Sequence, residues 1–186
     1  MRVAIFASGN GSNFEAIAQS FSSGQIKGEL ALVFSDKPDA FVLERAEKWG
    51  ITHASFSPKD FASKKAYEAE LIKLLASFEI EFVVLAGYMR IIGPQLLAAF
   101  PKRIVNIHPS LLPAFPGLHG IKDAYDYGVK VTGVTVHYVD NGVDTGPIIA
   151  QAALTVEAEE TVAELEARIH QIEHEIYPAT LAKILN

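Results

Sequence analysis

Three polar residues in the second half of the chain have types and spacing that suit acyl transfer. Asn106 and His108 lie at the end of an apolar run, Arg103 to Ile107, that predicts a strand. Because side chains alternate along a strand, both point to the same side. An amide N–H donor beside a protonated imidazole can stabilise an oxyanion, and Asp144, in a later loop, is a carboxylate that would favour the protonated imidazole. The alternative is a hydrogen-bonded structural role for the asparagine and the histidine.

A glycine-rich loop near the amino terminus predicts a binding site for an anion. The segment Ser8-Gly9-Asn10-Gly11-Ser12-Asn13 lies between a predicted strand and a predicted helix, so free backbone N–H groups and the helix dipole face it. Phe14 stands where a dinucleotide fingerprint needs glycine, and the lysine of a P-loop is absent. One phosphate, as on a mononucleotide, fits this loop better. The alternative is a tight turn in which Ser12 or Asn13 caps the helix.

Other chemistries have less support in the sequence. The chain contains no cysteine, which excludes disulfides, thiolate nucleophiles and sulfur-ligated metals. Ser110 lies in no Gly-x-Ser-x-Gly elbow. His170 and His174 are four residues apart on a predicted helix, but glutamine replaces the glutamate of a His-Glu-x-x-His motif, so we expect no metal site. His119 and His137 fit either a polar pocket or a structural role.

The hydrophobic pattern predicts the elements that position these residues. Strand-length apolar runs alternate with helix-period segments through the first hundred or so residues, which predicts a doubly wound, mostly parallel α/β sheet in a single domain. Ligands of such sheets gather at the C-terminal ends of the strands. The predicted strands are 3–7, 30–34, 51–55, 82–86 and 103–107, and the predicted helices surround 14–21, 42–49 and 67–78 and follow Pro94.

The pattern changes after residue 128. Residues 134–138 alternate between apolar and polar side chains, which predicts a strand with two different faces. A second strand at 147–153 would pair with it in an antiparallel C-terminal part, across a turn-rich loop at 140–146. The last predicted helix runs from Thr161 to Tyr177 and is interrupted by Pro178.

The face of this last helix is also predicted by its periodicity. We expect the core-facing stripe to be Leu165, Ile169, Ile172 and Ile176. The opposite face would then offer His170 and Glu173 to a ligand.

Length and composition favour a single domain that binds small molecules. The chain has 186 residues, of which 49% are hydrophobic, enough for a sizeable core without disulfides or metals. The formal net charge of -6 argues against nucleic-acid or anionic-membrane partners. The first apolar run is too short for a signal peptide, and no stretch approaches the ~20 residues of a membrane span. We therefore expect a cytoplasmic protein, with a homodimer as a possible assembly.

Four motifs together resemble the phosphoribosylglycinamide formyltransferases, a family of folate-dependent formyltransferases. They are Ser8 to Asn13, Gly87-Tyr88-Met89-Arg90-Ile91-Ile92, the run from Asn106 through Pro113 to Phe115-Pro116-Gly117, and Asp144-Thr145-Gly146-Pro147. The resemblance covers essentially the whole chain. It implies one domain with the formyltransferase fold over residues 1–186, in which roughly 1–100 form a Rossmann-like phosphate-binding half and 101–186 a catalytic and folate-binding half.

The resemblance also implies a reaction. Members of this family transfer a formyl group from the co-substrate 10-formyltetrahydrofolate to glycinamide ribonucleotide in de novo purine biosynthesis, without a metal. The Asn-x-His-Pro-Ser-Leu-Leu-Pro run with a downstream Asp-x-Gly-Pro is shared by folate formyltransferases generally. The acceptor is therefore inferred from the phosphate-site loop, from Glu173 and from the short length, since methionyl-tRNA formyltransferases and formyltetrahydrofolate deformylases carry additional domains.

The same resemblance assigns the site residues to three groups. Asn106, His108 and Asp144 would be catalytic. The ribonucleotide would be bound by Gly11, Ser12, Asn13, His170 and Glu173. The folate would be bound by Lys64, Met89, Arg90, Ile91, Ile92, Asn106, Asp140, Asn141, Gly142, Val143 and Asp144. Ala114 stands where some relatives have a basic residue, so that charge is missing here.

Two other functions are compatible with the same residues. A hydrolase would release formate from the same cofactor, with water replacing the amine. A non-catalytic folate- or nucleotide-binding module would use the same sheet, because a fold alone does not define a function. The joint presence of Asn106, His108 and Asp144 favours an enzyme, since a binding module does not need all three.

Overall fold

A seven-stranded mixed sheet runs through the centre of the protein. The computed structural model describes residues 1–186, and its strands are ordered β3-β2-β1-β4-β5-β6-β7. The strands are β1 (Arg2–Phe6), β2 (Glu29–Ser35), β3 (His53–Ser55), β4 (Phe82–Leu85), β5 (Ile104–His108), β6 (Val131–Tyr138) and β7 (Ile148–Thr155). The first five are parallel, whereas β6 is antiparallel to both β5 and β7. The predicted fold class is confirmed.

Six α-helices cover the two faces of this sheet. They are α1 (Ser12–Ser22), α2 (Phe41–Lys48), α3 (Lys64–Ser77), α4 (Pro94–Ala99), α5 (Gly120–Tyr127) and α6 (Val162–Leu185), with a short 3₁₀ helix at Pro58–Asp60. The buried residues of α1, α2 and α6 pack into one core, and those of α3 and α4 pack into a second core on the opposite face. The sheet is therefore the middle of three layers.

Strand β1 shows why the parallel strands are continuous apolar runs. Val3 and Ile5 belong to the core under α1 and α6, whereas Ala4 and Phe6 belong to the core under α3 and α4. Because a strand alternates its side chains, a sheet covered on both faces needs apolar residues at every position.

The strand order also determines where a ligand can bind. The chain moves from β1 to β2 and β3 on one side, and then returns to place β4 on the other side of β1. The loops that leave β1 and β4 therefore diverge and open a crevice at the carboxyl ends of the strands. Both the predicted anion-binding loop and the Gly87–Ile92 motif follow these two strands.

The carboxyl-terminal helix differs from the prediction in two ways. It continues through Pro178 to Leu185, because Tyr177, Leu181 and Leu185 are all buried and their packing outweighs the missing N–H of the proline. Its buried stripe also includes Glu173, which is 4% exposed. The expectation that Glu173 lies on the face opposite the core is therefore wrong.

The spacing of the buried residues shows which face of α6 packs against the core. The buried stripe of α6 repeats every four residues, at Leu165, Ile169, Glu173, Tyr177 and Leu181. The expected core residues Ile172 and Ile176 are only partly buried at the edge of this stripe.

Strand β6 has the predicted alternation, but both of its faces are covered. Val134 and Val136 lie in the core, and the polar residues Thr135 and His137 are also buried. Thr135 donates a hydrogen bond to the Ser110 carbonyl oxygen, and His137 faces the crevice. The polar face of this strand is thus directed at the site and not at solvent.

Candidate active site

A cavity of about 550 Å³ opens at the carboxyl ends of β1, β4 and β5, with α6 forming one wall. It brings together most of the residues that the sequence singled out. The predicted site residues that line it are Gly11, Ser12, Asn13, Met89, Arg90, Ile91, Ile92, Asn106, His108, Asp140, Gly142, Val143, Asp144, His170 and Glu173. Lining residues outside that set include Leu118 and His137. Residues more than 150 positions apart in sequence thus share one cleft.

Two predicted folate-binding residues do not line this cavity. Lys64 is the exposed first residue of α3, which covers the sheet face opposite to that of α1 and α6. Asn141 is exposed at the tip of the loop between β6 and β7. Both residues are therefore outside the set that lines the cleft.

The carboxylate of Asp144 lies between two histidines. Its Oδ2 atom is 3.4 Å from Nδ1 of His108, and its Oδ1 atom is 3.6 Å from Nε2 of His137. The backbone N–H of Gly117 also donates a hydrogen bond to Oδ2, at 2.8 Å. The ends of β5 and β6 and the loop at Gly117 thus converge on one carboxylate, which supplies the partner that His108 was expected to need.

Both ring nitrogens of His108 face hydrogen-bond acceptors. Nδ1 faces Asp144, and Nε2 is 2.7 Å from the carbonyl oxygen of Phe115. A carbonyl oxygen can only accept, so Nε2 carries a proton, and a second proton on Nδ1 would complete the pair with the carboxylate. The surroundings of His108 therefore suit the charged imidazolium.

Asp144 is held in its ionised form by the same contacts. Burial by itself would raise the pKa of this carboxyl. The hydrogen bonds from His137 and from the Gly117 N–H, together with electrostatic attraction to the two histidines, outweigh burial and hold the pKa of Asp144 below its usual value. A charged Asp144 can in turn stabilise a positive charge on His108.

His137 orients the side chain of Asn106. The two residues are directly paired across β5 and β6, and Asn106 Nδ2 lies 3.3 Å from His137 Nε2. His137 Nδ1 faces the carbonyl oxygen of Tyr138 at 2.9 Å and therefore carries a proton, while Nε2 lies between the Asn106 amide and the Asp144 carboxylate. The alternation of β6 hints at this role, but the register that pairs the two residues cannot be read from the sequence.

The loop after β1 leaves the amino terminus of α1 open. Gly11 is the N-cap residue with φ 80°, and no side chain caps the helix. The alternative in which Ser12 or Asn13 caps α1 is therefore not what the structure shows. The first backbone N–H groups of the helix remain available for an anion. A Cβ atom at Gly11 would approach Val42 Cγ2 to 2.6 Å, so glycine is needed for space as well as for conformation.

A buried carboxylate lies next to this loop. Glu173 Oε2 accepts hydrogen bonds from Asn13 Nδ2 at 3.1 Å and from His170 Nδ1 at 2.8 Å. The hydrogen bond to Glu173 raises the pKa of His170, although burial opposes this shift. Asn13 Oδ1 is buried without a partner. The cluster therefore keeps a free polar acceptor beside the helix terminus.

The other end of the cleft presents apolar side chains to solvent. Met89 is 57% exposed, Ile91 62% and Val143 50%. Large apolar residues grouped at the rim of a pocket are typical of a surface that a ligand covers. The nearby Asp140 carboxylate instead accepts hydrogen bonds from the Gly142 N–H and the Thr145 hydroxyl. These contacts hold the loop between β6 and β7 in shape.

The structure contains no group of three or more His, Asp and Glu side chains arranged to hold a metal ion. None of its helices is both long and apolar enough to cross a membrane.

Comparison with known proteins agrees with this geometry. A family model described as formyl transferase matches residues 1–181. The chain is 50% identical over 184 residues to phosphoribosylglycinamide formyltransferase of Bacillus subtilis (strain 168), covering 99% of this chain and 94% of that protein. It is 41% identical over 182 residues to the protein of the same name from Escherichia coli (strain K12), covering 98% and 86%.

Solved structures give the same result. The crystal structure of phosphoribosylglycinamide formyltransferase from Bacillus halodurans superposes with a TM-score of 0.98 at 57% identity, covering 100% of this chain and 96% of that one. Glycinamide ribonucleotide transformylase 1 from Geobacillus kaustophilus superposes with a TM-score of 0.97 at 51% identity, covering 100% and 98%. The chain therefore belongs to the formyl transferase family, among the phosphoribosylglycinamide formyltransferases.

Proposed function

We propose that this protein transfers the formyl group of 10-formyltetrahydrofolate to the amine of N1-(5-phospho-D-ribosyl)glycinamide. The products are the formylglycinamide ribonucleotide and tetrahydrofolate, a step of de novo purine (IMP) biosynthesis. One observation carries the proposal: a single cleft combines the Asn106, His108 and Asp144 cluster with an open helix terminus and the buried carboxylate of Glu173. An acyl transfer to a phosphorylated amine needs these three features together.

The acceptor binds at the α1 end of the cleft in this proposal. Its phosphate accepts hydrogen bonds from the backbone N–H groups of Gly11, Ser12 and Asn13. Glu173, oriented by Asn13 and His170, holds the amine side of the ribonucleotide. The proximity of His170, which carries a positive charge when protonated, also favours a dianionic phosphate.

The folate occupies the apolar end of the cleft. Met89 to Ile92 and the loop from Asp140 to Asp144 enclose its pterin ring, and their backbone groups read the polar edge of that ring. The ring stacks against side chains that are exposed without a ligand, among them Ile91 and Val143. Lys64 contributes at most a distant positive charge.

Formyl transfer proceeds by direct attack of the amine. A C–N bond forms between the acceptor nitrogen and the formyl carbon, and the formyl oxygen becomes the oxyanion of a tetrahedral intermediate. The bond between that carbon and folate N10 then breaks, and the proton lost by the amine is delivered to N10. No covalent enzyme intermediate is needed, because holding both reactants in one cleft already makes the attack effectively unimolecular.

The catalytic residues act on the charges of this intermediate. The Asn106 amide donates a hydrogen bond to the oxyanion, and the His108 imidazolium, whose N–H groups face Asp144 and Phe115, stabilises the oxyanion through its positive charge. Asp144 keeps His108 charged and, through a water molecule, helps to move the proton from the amine to N10.

We also propose an approximate division of the domain. Residues 1–100 contain the phosphate-binding loop together with the Met89 to Ile92 segment, and residues 101–186 contain the catalytic residues and the rest of the folate site. We place the protein in the cytoplasm with small molecules as its partners. The homodimer is tested by light scattering of the purified protein across a concentration series.

The test is formyl transfer in three parallel reactions. All contain 10-formyltetrahydrofolate, and they differ in containing the ribonucleotide, the non-phosphorylated glycinamide riboside or no acceptor. Turnover that requires the ribonucleotide supports both the acceptor and the phosphate site. Equal loss of cofactor without an acceptor would identify a hydrolase instead, and absence of turnover in every reaction would favour a binding module.

A further inference from the structure

A buried carboxylate that takes no part in the catalytic cluster lies behind the folate end of the cleft. Asp36 follows strand β2 directly and is 1% exposed. It accepts a hydrogen bond from the Ser8 hydroxyl at 2.5 Å and from Arg90 Nε at 2.7 Å. A charge taken out of water is costly unless it is paired and hydrogen-bonded, so these two partners account for its presence.

The hydrogen bonds of Asp36 connect the ends of three neighbouring strands. Ser8 follows β1, Asp36 follows β2 and Arg90 lies in the loop after β4, and these strands are adjacent in the order β2-β1-β4. The Ser8 oxygen also accepts the backbone N–H of Met89 at 2.8 Å. One carboxylate therefore fixes the start of the Met89 to Ile92 segment twice, through the backbone of Met89 and through the side chain of Arg90.

We propose that Asp36 and Ser8 are positioning residues for folate binding. Neither side chain contacts the folate; they hold the Met89 to Ile92 segment in the conformation that receives the pterin ring. This inference rests on the proposed function of that segment. It predicts an effect on folate binding alone. The catalytic side chains and Glu173 are carried by β5, the loop after β6 and α6, and the phosphate-binding part of the Ser8 loop is held separately, through hydrogen bonds from Arg45 to Asn10.

The substitution Asp36→Asn tests this role with almost no change of shape. The amide has one accepting oxygen, so it either faces Arg90 with a donor or leaves the Ser8 hydroxyl without its acceptor. We expect the KM for 10-formyltetrahydrofolate to rise by about ten-fold, as for the loss of a hydrogen bond to a charged group. The kcat and the KM for the ribonucleotide should stay within about two-fold of their original values.

A matched control separates positioning from general destabilisation. Glu160 is also a carboxylate paired with an arginine: its side chain is 5% exposed, and its Oε1 atom accepts a hydrogen bond from Arg168 at 2.7 Å. It does not line the cleft. Glu160→Gln should lower stability but leave both KM values unchanged, because a smaller folded fraction lowers the apparent kcat and not KM.

A second variant gives a readout that does not depend on activity. Ser8→Ala removes the acceptor of the Met89 N–H, so hydrogen exchange of residues 87–92 should accelerate while exchange in β5 stays unchanged. It should also raise the folate KM selectively, and it remains informative if Asp36→Asn does not fold. Unchanged exchange in this segment, or equal increases in both KM values, would overturn the inference.

The wild-type protein distinguishes the two proposals from one another. If the wild-type protein transfers no formyl group to the ribonucleotide, the proposed function fails. If it does, and Ser8→Ala and Asp36→Asn both retain the original folate KM, only the positioning role fails.

Discussion

The Oδ2 atom of Asp144 lies 3.4 Å from the Nδ1 atom of His108, although His108 ends strand β5 and Asp144 lies in the loop between β6 and β7. The Phe115 carbonyl oxygen lies 2.7 Å from the other nitrogen of the same ring, so Asp144 supplies the carboxylate that faces His108. A change at Asp144 should therefore act directly on His108.

Replacing Asp144 with asparagine should therefore act on the chemical step. Asn keeps the shape of the side chain and loses the charge that stabilises protonated His108. We expect kcat to fall by about a hundred-fold or more, with both KM values within a few-fold of the original. Steady-state kinetics with each substrate varied in turn will measure this. Asp126→Asn, at an exposed ion pair with Lys122, is the control, and an unchanged kcat in Asp144→Asn would remove Asp144 from the mechanism.

Gly11 should prove sensitive to a single methyl group. Gly11→Ala forces a left-handed φ on a residue with a side chain, at a cost of roughly 1–2 kcal/mol, and also drives Cβ into Val42. We expect the KM for the ribonucleotide to rise and the folate KM to stay the same, because the shifted loop carries the phosphate-binding N–H groups.

Gly24 is a matched control for this variant. It has a similar φ of 78°, but nothing lies within 4 Å of a Cβ built there. Gly24→Ala should therefore lower the free energy of unfolding through the backbone alone and leave both KM values unchanged. An unchanged KM for the ribonucleotide in Gly11→Ala would contradict the proposed phosphate site.

Glu173→Gln should weaken the acceptor side selectively. The variant keeps a hydrogen-bonding side chain but removes the buried negative charge beside Asn13 and His170. We expect a ribonucleotide KM at least about ten-fold higher with the folate KM unchanged. Glu166→Gln removes the exposed carboxylate on the other side of His170 and should have little effect. Full activity of Glu173→Gln would make Glu173 a structural residue only.

The raised pKa of His170 predicts a pH-dependent contribution to stability. A group whose pKa is higher in the folded state stabilises that state fully below its unfolded pKa, here 6.5, and this contribution is lost as pH rises through the folded pKa. The difference in unfolding free energy between wild-type protein and His170→Gln should therefore be larger at about pH 5.5 than at about pH 9. Urea unfolding at the two pH values measures it. If the difference in unfolding free energy is the same at both pH values, the contact between His170 and Glu173 does not depend on the charge of the histidine.

Hydrophobic periodicity predicted the sheet well because its strands are covered on both faces. The runs around Val3 to Ala7 and Phe82 to Ala86 are apolar at every position, which indicates a strand buried on both faces, and burial of apolar surface is the main driving force of folding. Periodicity was less informative for α6. A carboxylate in the buried stripe and a proline within the helix both contradict local preference, and only packing against the rest of the chain allows them.

The site was predictable to the extent that its residues follow strand ends. Asn106 and His108 could be assigned to one side of β5 from alternation alone. The pairing of Asn106 with His137 depends on strand register, and the contact of His108 with a carbonyl oxygen depends on the path of a loop. Asp36 left no signal in the sequence, because an acidic residue after a strand usually faces water.

The hydrogen bond between Asn13 and Glu173 joins residues 160 positions apart in the chain. During synthesis Asn13 emerges 160 residues before Glu173. Until α6 has docked, the nascent protein has the start of the proposed acceptor site but not its carboxylate. Recognition of the ribonucleotide at that site would therefore be acquired only when α6 docks, and a ligand bound there would hold the loop after β1 against α6.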